Sequence, residues 1–336
     1  MRNNVWDVCR GIPVIAVVLI HASGFLSHYD TGTYQNILGV AFRQFINFAV
    51  PVFLFISGYF SFNNKKQSSY EIIKSRIMRI ASPYIICSMI YIFVDFITKG
   101  KIPTGMELFL DFALGKAMVV GYFVIVIIQF ILLTPIIKGI KDKRAHILIM
   151  AAMTTFGLAY TYASKLCFSD SWAASFPFSA ALFFVWYPFF HFGFYLSKYT
   201  TRISIGVITI PVLLAFCLVE SFILNDILEY EFATSQIKLS SFALSFAICL
   251  LIYKVKDKKI NCMPLSFLGV NSFSIYLLHM LFLPRATTLA YKLNLIDRFP
   301  FISILFIAAI TMACSVIATV VIKRLLPSKT SALIIG

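Results

Sequence analysis

Apolar positions in this chain follow neither the 3.6-residue spacing of a helix with one wet face nor the alternation of a half-buried strand. They form unbroken runs of bilayer-spanning length, about 20 residues each, separated by short polar segments. Ten runs predict ten membrane-spanning helices, at roughly 11–28, 40–62, 77–97, 117–137, 146–163, 178–197, 203–223, 237–254, 266–290 and 300–323. The fold class expected is therefore all-α and polytopic. Residues 1–336 read as one integral membrane domain, with no soluble domain appended and no internal repeat.

Composition agrees with this pattern. The chain is 60% hydrophobic and 13% charged, against about 25% charged in soluble domains. The formal net charge of +15 raises nucleic-acid binding. Its distribution argues against that, because no basic stripe with interleaved aromatic residues occurs. The short segments on one side of the predicted bundle carry 20 of the 29 basic residues, among them Arg2, Lys65, Lys66, Arg144, Arg202 and Lys256. Asp226, Glu229 and Glu231 fall on the other side. Positive charge accumulates in cytoplasmic loops, so both termini are expected in the cytoplasm, and an even number of spans fits. The seven cysteines have no CxxC spacing and read as small apolar residues. No metal site is expected.

Ionisable side chains stand out against this background. Arg10 and His21 bracket ten uncharged residues in the first run. Eleven residues of α-helix advance about 16.5 Å and turn some 20° past three full turns. Both side chains then share a face, Arg10 at the cytoplasmic surface and His21 inside the bilayer. Asp7, three residues before Arg10, is placed to pair with it. Pro13 is comfortable in a first turn, and a helix already running from Asn4 is expected to kink there. Ionisable groups inside membranes are costly and mark sites or pathways, and a neutral imidazole at depth suits general-base work.

From these residues the chain resembles the acyltransferase 3 family of integral membrane acyltransferases. That family opens with Asp-x-x-Arg-Gly, an apolar run and a His. Asp7, Arg10, Gly11 and His21 match with the same spacing. Three further stretches resemble the family in order: the Phe-rich run to Ser57-Gly58-Tyr59, Arg76-Ile-Met-Arg79 leading into the third run, and Phe273-Ser-Ile-Tyr276-Leu-Leu-His279. Gly121-Tyr122-Phe123 departs from the family's Leu-Trp-Phe.

The resemblance implies transfer of an acyl group, commonly acetyl from acetyl-CoA, to a hydroxyl of a glycan or small molecule. Arg10, Arg76 and Arg79 would bind the acyl-CoA phosphates from the cytoplasm, and Arg76 and Arg79 share one helical face. On the residues alone that pair reads first as a topology signal or a lipid-headgroup contact. His21 would be the catalytic base, working with Arg10 and Asp7, by direct deprotonation of the acceptor or through an acyl-histidine. His279 and Tyr276 either line an acceptor path with Ser57 or bond a neighbouring helix. Gly58 is expected to permit close helix approach. His191, His28 and His146 are expected to be structural, the last two exposed, and Asp95 and Glu220 to reach water. The expected acceptor is a cell-surface glycan or its lipid-linked precursor, such as O-antigen lipopolysaccharide, in a bacterial inner membrane. Membrane lipids are partners and nucleic acid is not. Two other classes compete: a transporter or flippase for a lipid-linked glycan, and a membrane sensor or scaffold.

Overall fold

A computed structural model describes residues 5–62, 70–100, 103–199, 206 and 208–336. Arg2, Lys65, Lys66 and Arg202, used above for orientation, lie outside them. Among the described residues the regular elements are helices. They are α1 (Val5–Ala22), α2 (Tyr34–Gln44), α3 (Ala49–Phe62), α4 (Tyr70–Lys99), α5 (Gly105–Ala113), α6 (Gly121–Gly139), α7 (Lys143–Leu166), α8 (Phe178–Ala181) and α9 (Phe183–Lys198). They continue with α10 (Thr209–Ile227), α11 (Tyr230–Ala233), α12 (Leu239–Val255), α13 (Met263–Val270), α14 (Ser272–Lys292), α15 (Leu295–Arg298), α16 (Pro300–Leu325) and α17 (Ser328–Ile335).

Among the described residues nine helical segments are long and apolar enough to cross a membrane, and α12 is a shorter apolar helix. The protein is thus an all-α polytopic membrane protein. Nine of the ten predicted runs fall on these segments and the run at 237–254 falls on the shorter α12, and several borders differ. α4 begins at Tyr70 and ends at Lys99, beyond the expected 77–97 on both sides. α1 begins at Val5 and runs through Pro13 to Ala22. Proline removes one backbone bond there without ending the helix, so the face shared by Arg10 and His21 is kept.

The second span differs most. It was expected as one helix over 40–62, and it begins at Tyr34 and breaks at residues 45–48. The last turn of α2 tightens, with Phe45 N–H and Ile46 N–H donating to Phe42 and Arg43 carbonyls. Orphaned backbone groups at such a break need partners. Gln236 supplies one by accepting from Val50 N–H at 3.0 Å, and Asn47 Nδ2 donates to the Ser235 carbonyl at 3.1 Å. Both partners come from the loop before α12, nearly 190 residues away in the chain.

Small residues bring backbones together around the core. A Cβ on Gly58 would collide with the Phe190 carbonyl, and one on Gly193 with the Phe55 carbonyl. The crossing of α3 and α9 is therefore set by glycine on both sides, as expected for Gly58. Beside it Phe130 and Phe190 stack at 4.5 Å. Gly11 and Gly269 do the same for α1 and α13, which fixes the helix carrying Arg10 and His21 against its neighbour.

Candidate functional site

The site is built from four helices. α1 presents Asp7, Arg10 and His21; α3 presents Ser57; the first turns of α4 present Arg76 and Arg79; α14 presents Tyr276 and His279. At the end of the bundle that the charge bias assigns to the cytoplasm, Arg10, Arg76 and Arg79 line one cavity of about 420 Å³ with Ser57 and Ser61. Sixty-six residues separate Arg10 from Arg76 in sequence, and the fold closes that gap. Arg10 Nη1 lies 3.4 Å from Asp7 Oδ1, and its guanidinium sits 5.1 Å from the centre of the Phe60 ring. Asp7 is buried. It holds the arginine in place from behind and does not face the cavity.

A smaller chamber of about 180 Å³ adjoins the first and shares Arg10, Ser57, Ile80, Ile127 and Phe273 with it. Its further wall includes Phe123 and Tyr276. Tyr276 is pinned there, its hydroxyl donating to the Val120 carbonyl at 2.5 Å. Behind Tyr276 the rings continue inward. His279 lies 5.8 Å from Tyr276, and His21 lies 5.3 Å from His279, centroid to centroid. The two histidines predicted from separate motifs therefore meet. Neither cavity is lined by His21 itself: Tyr276 and His279 stand between.

The backbone fixes the tautomer of His279. Its Nδ1 is 2.7 Å from the Tyr276 carbonyl, which can only accept. Nδ1 therefore carries the hydrogen. Nε2 is left as a bare acceptor, fully buried and without a partner among the described residues. The His21 ring is its neighbour at 5.3 Å, centroid to centroid, without a hydrogen bond between them. His21 keeps part of its surface uncovered.

Other candidates move. His146 is fully buried, not exposed, with Nδ1 2.6 Å from Nε2 of His191. Lys198 Nζ closes the cluster 3.2 Å from His146 Nε2. His28 is exposed, and Asp95 is exposed and paired with Lys99. Glu220 does not reach water freely. It accepts from the Tyr162 hydroxyl and from Ser240 N–H at 2.9 Å, and lies 4.0 Å from Lys238 Nζ. Lys238 is itself completely buried and donates to Gln44, Ser240 and Ser241.

Sequence reasoning missed Arg43. It sits in the last turn of α2, inside the second span, within electrostatic reach of His21, Tyr122 and Tyr230. A charge inside the predicted 40–62 run was the available signal.

A polytopic helical bundle with a cationic inner cavity leading to a buried histidine pair is an arrangement suited to group transfer from an anionic cofactor. The acyltransferase domain model of the acyltransferase 3 family matches residues 3–320, and the chain belongs to that family. It is also similar to proteins of Staphylococcus aureus strains Mu50 and MSSA476 named as probable poly-beta-1,6-N-acetyl-D-glucosamine export proteins. Each is 24% identical over 271 residues, covering 77% of this chain and 75% of the relative. No solved structure matches.

Proposed function

We propose that the protein is a bacterial cytoplasmic-membrane O-acyltransferase that moves an acyl group, acetyl in the simplest case, from acyl-CoA to a hydroxyl of a surface polysaccharide or its lipid-linked precursor. One observation carries it: three arginines from two distant motifs line a single inner cavity whose neighbouring chamber ends at the ring chain Tyr276–His279–His21. The staphylococcal relatives' polysaccharide name supports a glycan acceptor.

The nucleotide phosphates of CoA dock on Arg76 and Arg79, where guanidinium forks grip phosphate oxygens bidentately. Arg10, braced by Asp7, continues the cationic path. The uncharged pantetheine arm lies along the apolar wall of Phe53, Ile80, Ile127 and Phe273. The arm must cover roughly the 16.5 Å that eleven helical residues place between Arg10 and His21. Tyr276 swings aside to admit the thioester to the histidine pair.

With substrate bound, His21 turns to donate an N–H to the unpartnered Nε2 of His279, which leaves the other nitrogen of His21 as the base. His21 takes the proton of the acceptor hydroxyl as its oxygen attacks the thioester carbonyl. The tetrahedral intermediate collapses, the C–S bond breaks, and the leaving thiolate takes the proton back from His21. The ester and free CoA depart on opposite sides.

The test is transfer of labelled acetyl from acetyl-CoA by purified protein in vesicles, together with mass analysis of surface glycans after gene deletion. Loss of one acyl mass per repeat supports the proposal. A second activity, export, is favoured by the relatives' names. Vesicles that translocate lipid-linked glycan but transfer no label would replace the enzyme with an exporter.

A further inference from the structure

Arg43 is an arginine inside a membrane span that no carboxylate neutralises among the described residues. Asn47 Oδ1 accepts from its Nε at 3.4 Å and orients the guanidinium. No described residue accepts from the terminal nitrogens. Of the acids in the area, Glu220 faces Lys238, Tyr162 and Ser240, and Glu231 lies within electrostatic reach of Tyr230 but makes no ion pair with Arg43. Lys238, a second cation within electrostatic reach of Arg43, adds to the surplus of positive charge.

Two phenols accompany it. Tyr230 packs its hydroxyl on Gly39, one turn before Arg43 on α2, where any Cβ would collide with it. That hydroxyl is buried and has no partner. The Tyr122 hydroxyl makes no hydrogen bond to a described residue either. Arg43 and Tyr122 both keep part of their surface uncovered although they sit within the bundle. The terminal nitrogens of Arg43, which lies within electrostatic reach of His21, and the two phenol hydroxyls within reach of Arg43 thus have no acceptor among the described residues. Donors left in that state in a low-dielectric interior are costly unless a ligand completes them.

We infer that Arg43, Tyr122 and Tyr230 form a receptor for a carboxylate or phosphate group carried by the acceptor. The side of entry selects the acceptor over the donor. α2 comes in from the face opposite the Arg76–Arg79 cavity, and Tyr230 belongs to the α10–α12 connection on that same face. An acidic group held there presents a neighbouring hydroxyl to His21 from outside, while the thioester arrives from inside. The naming of the occupant as an acceptor rests on the acyltransferase function proposed above; the anion site itself does not.

The experiment is thermal unfolding of the full chain in lipid nanodiscs. The probes are methyl β-glucuronide and glucose 6-phosphate, with uncharged methyl β-glucoside and CoA as references. A charged sugar is expected to raise the unfolding midpoint by about 3 °C or more, with the glucoside giving no shift. Arg43→Gln abolishes that shift and keeps the shift given by CoA, which shows that the variant is folded. Tyr230→Phe, which removes one hydroxyl and no bulk, loses part of it. Equal stabilisation by the glucoside, or a charged-sugar shift that survives in Arg43→Gln, overturns the inference. So does a donor-side result: succinyl-CoA stabilising more than acetyl-CoA, with that excess lost in Arg43→Gln. Absence of any CoA shift and of transfer would sink the acyltransferase function while an Arg43-dependent sugar shift still stood.

Discussion

The two ends of the bundle are built on opposite principles. At the inner end, Arg76 and Arg79 face an open cavity, and Asp7 is the acid placed against Arg10. At the outer end, polar groups are sealed and cross-linked: Lys238 with Gln44, Ser240 and Ser241, Glu220 with Tyr162, and Asn36 with Asn225 at 2.9 Å. Open guanidinium groups suit a soluble, highly charged cofactor that binds and leaves on every turnover. Satisfied buried networks rigidify. Here they hold the break between α2 and α3 and set Arg43 beside His21. The lesson is that the fold spends its polar residues on exchange at one end and on fixed geometry at the other.

This contrast can be attacked at both ends and at their meeting point. The largest effect belongs to the meeting point. His21→Ala is expected to lower acyl transfer about 10³-fold, in the range of a general base, with CoA binding kept. His279→Ala costs about 10²-fold, and His279→Gln, which can still accept an N–H, recovers part of it. Unchanged rates at normal protein levels would remove the base assignment.

At the sealed end, Lys238→Met leaves Glu220 and Gln44 buried without their cation and is expected to destabilise by about 3 kcal/mol. Unfolding in detergent reads it, and a loss under 1 kcal/mol would show that the network is not a frame. At the open end, Arg76→Gln and Arg79→Gln remove charge-assisted bonds worth about 1.5–3 kcal/mol each. They raise the KM for acyl-CoA by roughly 10- to 100-fold each with kcat unchanged. A fall in kcat at constant KM would place the cofactor elsewhere. The smallest effect is between the two ends: Gly193→Ala pushes α9 from α3 and costs about 1–3 kcal/mol of stability, with KM for acyl-CoA unmoved.

The inner end was legible in the sequence because its determinants are local. Helical periodicity alone puts Arg10 and His21 on one face, and Arg76 and Arg79 on another. Fixed spacing within Tyr276-Leu-Leu-His279 also predicts the contact of that pair. The outer end was not legible, because it is made by residues far apart. The break at 45–48 depends on Ser235 and Gln236. At the inner end the same holds for His146, whose burial depends on His191, 45 residues on. Glu220 is withdrawn from water by Tyr162 and Lys238, which only the packing of α7, α10 and α12 brings near. Arg43 was visible as a charge inside an apolar run, and the broken helix that makes it useful was not.

The central claim is that one acyl-CoA molecule joins the arginine cavity to the histidine pair. The most direct measurement is a cryo-EM structure with a non-hydrolysable acyl-CoA analogue bound. The account predicts phosphate oxygens about 3 Å from the Arg76 and Arg79 guanidinium groups, the arm passing Ser57 and a displaced Tyr276, and the acyl carbonyl against His21. Density for the analogue outside that cavity, or an acyl end that stops short of a still-closed Tyr276, would contradict it.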